Sequence, residues 1–114
     1  MAELSDENIT IILELQRRLV KLIHQAAATE LLIFERFGET EATLAVLQQL
    51  LNIRERATSS YSRLSNLLLR VAEFQPIAPP ATIELLDKAI LQAEATADAG
   101  EATVREAKLD WNLT

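Results

Sequence analysis

The chain has 114 residues, of which 49% are hydrophobic and 25% charged, as expected for one folded globular domain and not for a disordered segment. Its net charge of −6 predicts that nucleic acid and anionic membrane surfaces are not partners, because both require a concentrated basic surface. No cysteine is present, which excludes disulfides and thiolate metal sites.

We expect a single domain over residues 1–114 that acts in the cytoplasm. The first residues lack the basic start and apolar core of a signal peptide, and no run of 18 apolar residues is free of charge. The chain contains no recognisable catalytic, metal-binding or nucleotide-binding motif. We therefore expect no enzyme activity, no cofactor and no metal.

The first predicted helix spans residues 6–36 and begins after Ser5, a suitable N-cap. It carries two neighbouring apolar rows instead of one. The second row consists of Ile11, Leu15 and Leu22. An apolar arc this wide exceeds what a single neighbouring helix covers, so helix 1 is either central in the fold or half of an interface.

The second predicted helix spans residues 41–74, after a break at Gly38 and an N-cap at Thr40. Apolar or small residues recur along it at spacings of three and four, which is typical of a seam packed against other helices. These residues are Val46, Leu50, Ile53, Ala57, Ser60, Leu64, Leu67, Val71 and Phe74.

The third predicted helix spans residues 80–111 and follows a proline-rich connection. Its seam has the same spacing. The residues are Ile83, Leu86, Ile90, Ala93, Ala97, Gly100, Val104, Ala107 and Trp111. Gly100 either lies within this helix or ends it before a short fourth helix that starts at Glu101; the unbroken phase of the seam favours a continuous helix.

The two seams match residue for residue if helices 2 and 3 are antiparallel. Leu64 then lies level with Ala93, Val46 lies level with Trp111, and the small residue Ala57 lies opposite Gly100. The predicted fold class is therefore all-α, with three long helices in an antiparallel up-down-up bundle and coiled-coil-like packing.

Two rows of charge run beside the seams. Arg56, Arg63 and Arg70 recur every seven residues on helix 2. Three carboxylates do the same on helix 3: Asp87, Glu94 and Glu101. Their heptad positions place the two rows on opposite sides of the helix pair. The arginines form a solvated edge or a polar docking edge for an acidic partner.

Helix 1 also carries a small basic cluster of Arg17, Arg18 and Lys21, in which Glu14 is placed to pair with an arginine. The cluster is either an ordinary polar face or a receptor for a carboxylate or phosphate. His24, the single histidine, has no second metal ligand at helical spacing, since residue 21 is lysine.

Two functions are compatible with these features. The first is a non-enzymatic interaction or assembly module, a homo-oligomer and most simply a dimer, which buries Ile11, Leu15 and Leu22 of helix 1 against its copy or against another helical protein. The second is a regulatory bundle that binds a small molecule or cofactor at the level of the small residues or near Trp111.

Overall fold

The computed structural model describes residues 4–113 and consists of three α-helices and their connections, with no strand among the described residues. The helices are α1 (Asp6–Phe37), α2 (Glu41–Glu73) and α3 (Pro80–Asp110). Each helix packs against the other two. The molecule is therefore an all-α three-helix bundle, as the seams predict.

The predicted helix starts at residues 6, 41 and 80 are confirmed, and each predicted end differs from the observed end by one residue. Residues 1–3 and 114 of the predicted domain lie outside the described residues. Helix α3 runs through Gly100 without interruption, so the alternative of a fourth helix beginning at Glu101 is wrong.

Side-chain caps explain where α1 and α2 begin. The Ser5 hydroxyl accepts a hydrogen bond from the Asn8 N–H at 3.1 Å. At the start of α2, the Thr40 hydroxyl accepts from the Thr43 N–H at 3.2 Å, and the Thr43 hydroxyl accepts from the Thr40 N–H at 2.8 Å. Gly38, with φ of +72°, makes the turn between the two helices. These bonds satisfy N–H groups that a helix start otherwise leaves unpaired.

Contacts between helices define their directions. Gln16 of α1 donates to Ser65 of α2, whereas Glu30, later in α1, pairs with Arg54, earlier in α2. Helices α1 and α2 are therefore antiparallel. Helix α3 runs parallel to α1, because Arg18 pairs with Asp98 while Phe37, at the end of α1, contacts Trp111, at the end of α3. The resulting bundle measures 56 × 21 × 16 Å.

In the middle of the bundle, α3 lies close to both α1 and α2. A Cβ atom added to Gly100 would lie 2.5 Å from Leu22 Cδ2 and 3.1 Å from Ile53 Cγ2. Leu22, which is 0% exposed, therefore occupies the space beside the glycine. The absence of a side chain at Gly100 therefore admits this neighbouring leucine.

Most seam residues are buried or half-buried, and the exception has a structural reason. Phe74 is exposed because α2 ends at Glu73 and Phe74 adopts an extended backbone, which takes its side chain out of the helical phase. At the opposite end, the rings of Phe37 and Trp111 lie 5.0 Å apart, so Trp111 closes that end of the bundle as its place in the seam indicates.

Candidate interaction surface

The row predicted to form an interface lies mainly inside the bundle. Leu15 is 5% and Leu22 is 0% exposed, and only Ile11, at 39%, reaches the surface. Leu15 and Leu22 are expected from the sequence to be buried against a second copy, but they are already covered within one bundle, as the alternative of a central helix 1 implies. The physical reason is that α3 covers this side of α1: Ile11 and Leu15 line a groove with Glu94 of α3, and Leu22 contacts Gly100.

A different apolar row on α1 is exposed. Leu13, Val20, Ala27 and Phe34 recur every seven residues on the outer surface of the helix, and we call them the outer row. Leu13, Val20 and Phe34 are 53%, 51% and 54% exposed. A seven-residue spacing places side chains on nearly the same line along a helix, so the outer row is one continuous stripe. The outer row lies on the side of α1 nearer to α2, because Ala27 and Phe34 line a groove together with residues of α2.

That groove, of about 540 Å³, lies between the C-terminal half of α1 and the N-terminal half of α2. We call it the α1–α2 groove. Its apolar walls come from both helices: Ala27, Leu31 and Phe34 of α1, and Leu44, Leu47 and Leu51 of α2. Leu31 and Leu44 are themselves about half exposed. The groove therefore widens the outer row into an apolar patch at one end of the bundle.

An ion pair borders the groove. Arg54 of α2 donates through Nε and Nη2 to the two carboxylate oxygens of Glu30 on α1, the second bond measuring 3.1 Å. This two-point contact raises the pKa of Arg54 above its usual value. The pair joins α1 to α2 and holds both charges in a fixed position beside the leucine and phenylalanine side chains that line the groove.

The two charged rows lie on opposite sides of the α2–α3 pair, as their heptad positions predict. Arg18 of α1 binds Glu101 at 2.8 Å and Asp98 at 2.7 Å, so these acids face α1. Their hydrogen bonds raise the pKa of Arg18 above its usual value. The arginine row lies on the other side, since Arg56 lines a groove with Gln92 and Thr96 of α3.

Arg56, Arg63 and Arg70 are all exposed, and none forms an ion pair with another described residue. Arg63 and Arg70 border a shallow groove lined by hydroxyl and amide side chains of α2. The role of this edge in docking an acidic partner stays a prediction.

The remaining sequence candidates have ordinary surroundings. Glu14 pairs with Arg17 at 4.0 Å, where both side chains are 65% exposed, and His24 is exposed on α1. Within residues 4–113, no three histidine, cysteine, aspartate or glutamate side chains come together as a metal site. None of the described helices is both long and apolar enough to cross a membrane.

The outer row was detectable in the sequence, because Leu13, Val20, Ala27 and Phe34 are spaced by seven. The α1–α2 groove was not, because its Leu31 and Leu44 come from different helices. Comparison with protein-family models, with curated proteins and with solved structures finds no match. The three-helix fold alone does not imply a function, so the function has to be inferred from the surface itself.

Proposed function

We propose that the protein is a non-enzymatic helical interaction and assembly module that self-associates through α1, using the outer row and the α1–α2 groove as its interface. The observation that supports this most strongly is the exposure of about half or more of Leu13, Val20, Leu31 and Phe34 on one side of one helix. Contiguous exposed apolar surface marks protein–protein contact sites.

The spacing of the outer row favours a helix as the occupant. Four apolar residues repeat every seven positions from Leu13 to Phe34, the spacing at which one helix packs along another. A strand or an extended peptide presents side chains at a different period. A helix about two thirds as long as α1 would cover the stripe.

A second copy of the chain supplies such a helix. Two α1 helices can pack antiparallel about a two-fold axis that passes between Val20 and Ala27. Leu13 of one copy then lies opposite Phe34 of the other, and Val20 lies opposite Ala27. Large side chains then pack near both ends and a medium one packs against alanine in the middle. This self-complementarity is what a symmetric interface requires.

The size of the surface predicts a weak dimer. About this axis, residues 10–37 of the two α1 helices overlap over about 42 Å, and a strip about 10 Å wide along this length covers roughly 400 Å². Two such strips bury about 800 Å² in total, in the range of weak, transient interfaces. Each bundle also has its own buried core. We therefore expect a reversible dimer that dissociates on dilution.

Light scattering across the micromolar range tests the proposal. The wild-type mass should rise with concentration from 12.7 kDa toward twice that value. Substitution Val20→Glu together with Phe34→Glu places four carboxylates in the dimer interface. Burial of unpaired polar groups costs about 1–3 kcal/mol each, so we expect the dissociation constant to rise at least about a hundredfold.

The matched control places the same charges on other exposed leucines. Leu91 and Leu109 of α3 are 67% and 66% exposed, and Leu91→Glu with Leu109→Glu should leave the wild-type association unchanged. Circular dichroism should show equal helicity in both variants. A wild-type protein that stays monomeric at high micromolar concentration, or a control variant that dissociates while the outer-row variant does not, would contradict the proposal.

A further inference from the structure

Three cationic side chains from two helices meet in a groove between α1 and α3. Lys21 comes from α1, and Arg105 and Lys108 come from α3. The groove has a volume of about 330 Å³, and the side chain of Gln25 also lines it. Sequence alone shows Lys21 only beside Arg17 and Arg18; the fold adds two cations that are more than 80 positions away.

These cations have no partner among the described residues. The one carboxylate in the groove is Glu101, and both of its oxygens accept hydrogen bonds from Arg18, at 3.2 and 2.8 Å. Within residues 4–113, no hydrogen bond or ion pair engages the side-chain nitrogens of Lys21, Arg105 or Lys108. The groove is therefore a local excess of positive charge on a protein whose net charge is −6.

The polar atoms that these side chains offer suit an anion with several oxygens. Lysine and arginine only donate hydrogen bonds, and the amide of Gln25 can donate as well. The floor of the groove is formed by Leu22 and Val104, which are 0% and 2% exposed. An apolar floor lowers the local dielectric and strengthens the attraction between the cations and an anion.

We propose that this groove is a binding site for a multiply charged phosphate-bearing small molecule. Its phosphate oxygens accept from Lys21, Arg105 and Lys108, and the fixed Arg18–Glu101 pair closes one end of the groove. The site lies on the α3 side of α1, whereas the outer row lies on the α2 side. It is therefore independent of the proposed self-association.

Isothermal titration calorimetry of the whole protein with pyrophosphate tests the site. We expect saturable binding below millimolar concentration. The variant Lys21→Gln, Arg105→Gln, Lys108→Gln should weaken it at least tenfold. Because these side chains belong to the surface, the variant should keep the wild-type helicity. The change Lys21→Arg, which retains the charge, should keep affinity within about threefold of the wild type.

The arginine row provides a control with the same change in net charge. The variant Arg56→Gln, Arg63→Gln, Arg70→Gln removes three positive charges from the opposite side of α3 and should bind pyrophosphate within about twofold of the wild type. Equal weakening in both triple variants would show general charge attraction and overturn the site. Absence of saturable binding would overturn it as well, and a dicarboxylate that binds as tightly would overturn the assignment to phosphate.

Discussion

Replacement of Gly100 by alanine tests the close approach at the centre of the bundle. Two effects oppose each other. In a helix interior, alanine is favoured over glycine by about 1 kcal/mol. Against this, the added Cβ would lie 2.5 Å from Leu22 Cδ2, 3.2 Å from Leu22 Cδ1 and 3.1 Å from Ile53 Cγ2. Overpacking of a filled core costs about 1–3 kcal/mol.

The burial of Leu22 determines which effect is larger. A leucine methyl group moves easily when it borders solvent, but Leu22 is 0% exposed, so its displacement must disturb other core side chains. We expect Gly100→Ala to lower the free energy of unfolding by about 1 kcal/mol after the gain in helix propensity is subtracted. For a domain of this size, Tm should fall by about 4 °C.

Urea unfolding followed by circular dichroism measures this change, and two further variants assign its cause. Ala99 is exposed, so Ala99→Gly reports the difference in helix propensity alone and should lower the free energy of unfolding by about 1 kcal/mol. Leu22→Val removes one methylene, at a cost of about 1 kcal/mol, and makes room for the new methyl group. The free energy of unfolding of the double variant Leu22→Val, Gly100→Ala should therefore exceed the value expected from adding the two single effects by at least about 0.5 kcal/mol. The close approach would be refuted if Gly100→Ala stabilised the protein by the full gain in helix propensity. It would also be refuted if the effects of Gly100→Ala and Leu22→Val were strictly additive.

Two other substitutions test contacts between elements. Arg18→Gln should cost up to about 1 kcal/mol, and less in high salt, whereas Arg17→Gln, at a highly exposed pair, should change stability by less than the error of thermal unfolding. Because the pKa of Arg18 is raised in the folded protein, its contribution to stability should stay constant as the pH rises to the normal pKa of arginine and should be lost only above that pH. Loss of this contribution at a lower alkaline pH would contradict the assignment. Thr43→Val removes the hydroxyl that donates to the Gly38 carbonyl at 2.8 Å and caps Thr40, so it should cost about 1–2 kcal/mol and increase hydrogen exchange in the first turn of α2; unchanged exchange would contradict that role.

The helices and their ends could be predicted because the determining signals are local. Ser5 caps its own helix, and Gly38 supplies the positive φ that ends α1. One local signal was incomplete: the capping box at the start of α2 uses Thr43, a position more often filled by glutamate or glutamine. The phase of the α3 seam correctly predicted an unbroken helix through Gly100, since a turn would have reset it.

The faces of α1 could not be assigned from the sequence alone. Its apolar arc is wide enough for two neighbours and an interface, and the residue pattern does not say which row faces which element. Leu15 and Leu22 face the core because α3 packs on their side, while the outer row stays exposed. Contacts such as Arg18 with Glu101 depend on this arrangement, since the two residues are 83 positions apart.

Distance measurements between two copies test the central claim, association through α1, most directly. The chain has no cysteine, so His24→Cys on α1 and Gln92→Cys on α3 each accept one nitroxide label per copy. Packed helices lie about 8–10 Å apart, so pulsed electron paramagnetic resonance at high protein concentration should give a short distance between labels at position 24. Labels at position 92 should be separated by the combined width of two bundles, each 21 Å across. A shorter distance at position 92 than at position 24, or no distance between copies at either position, would contradict the account.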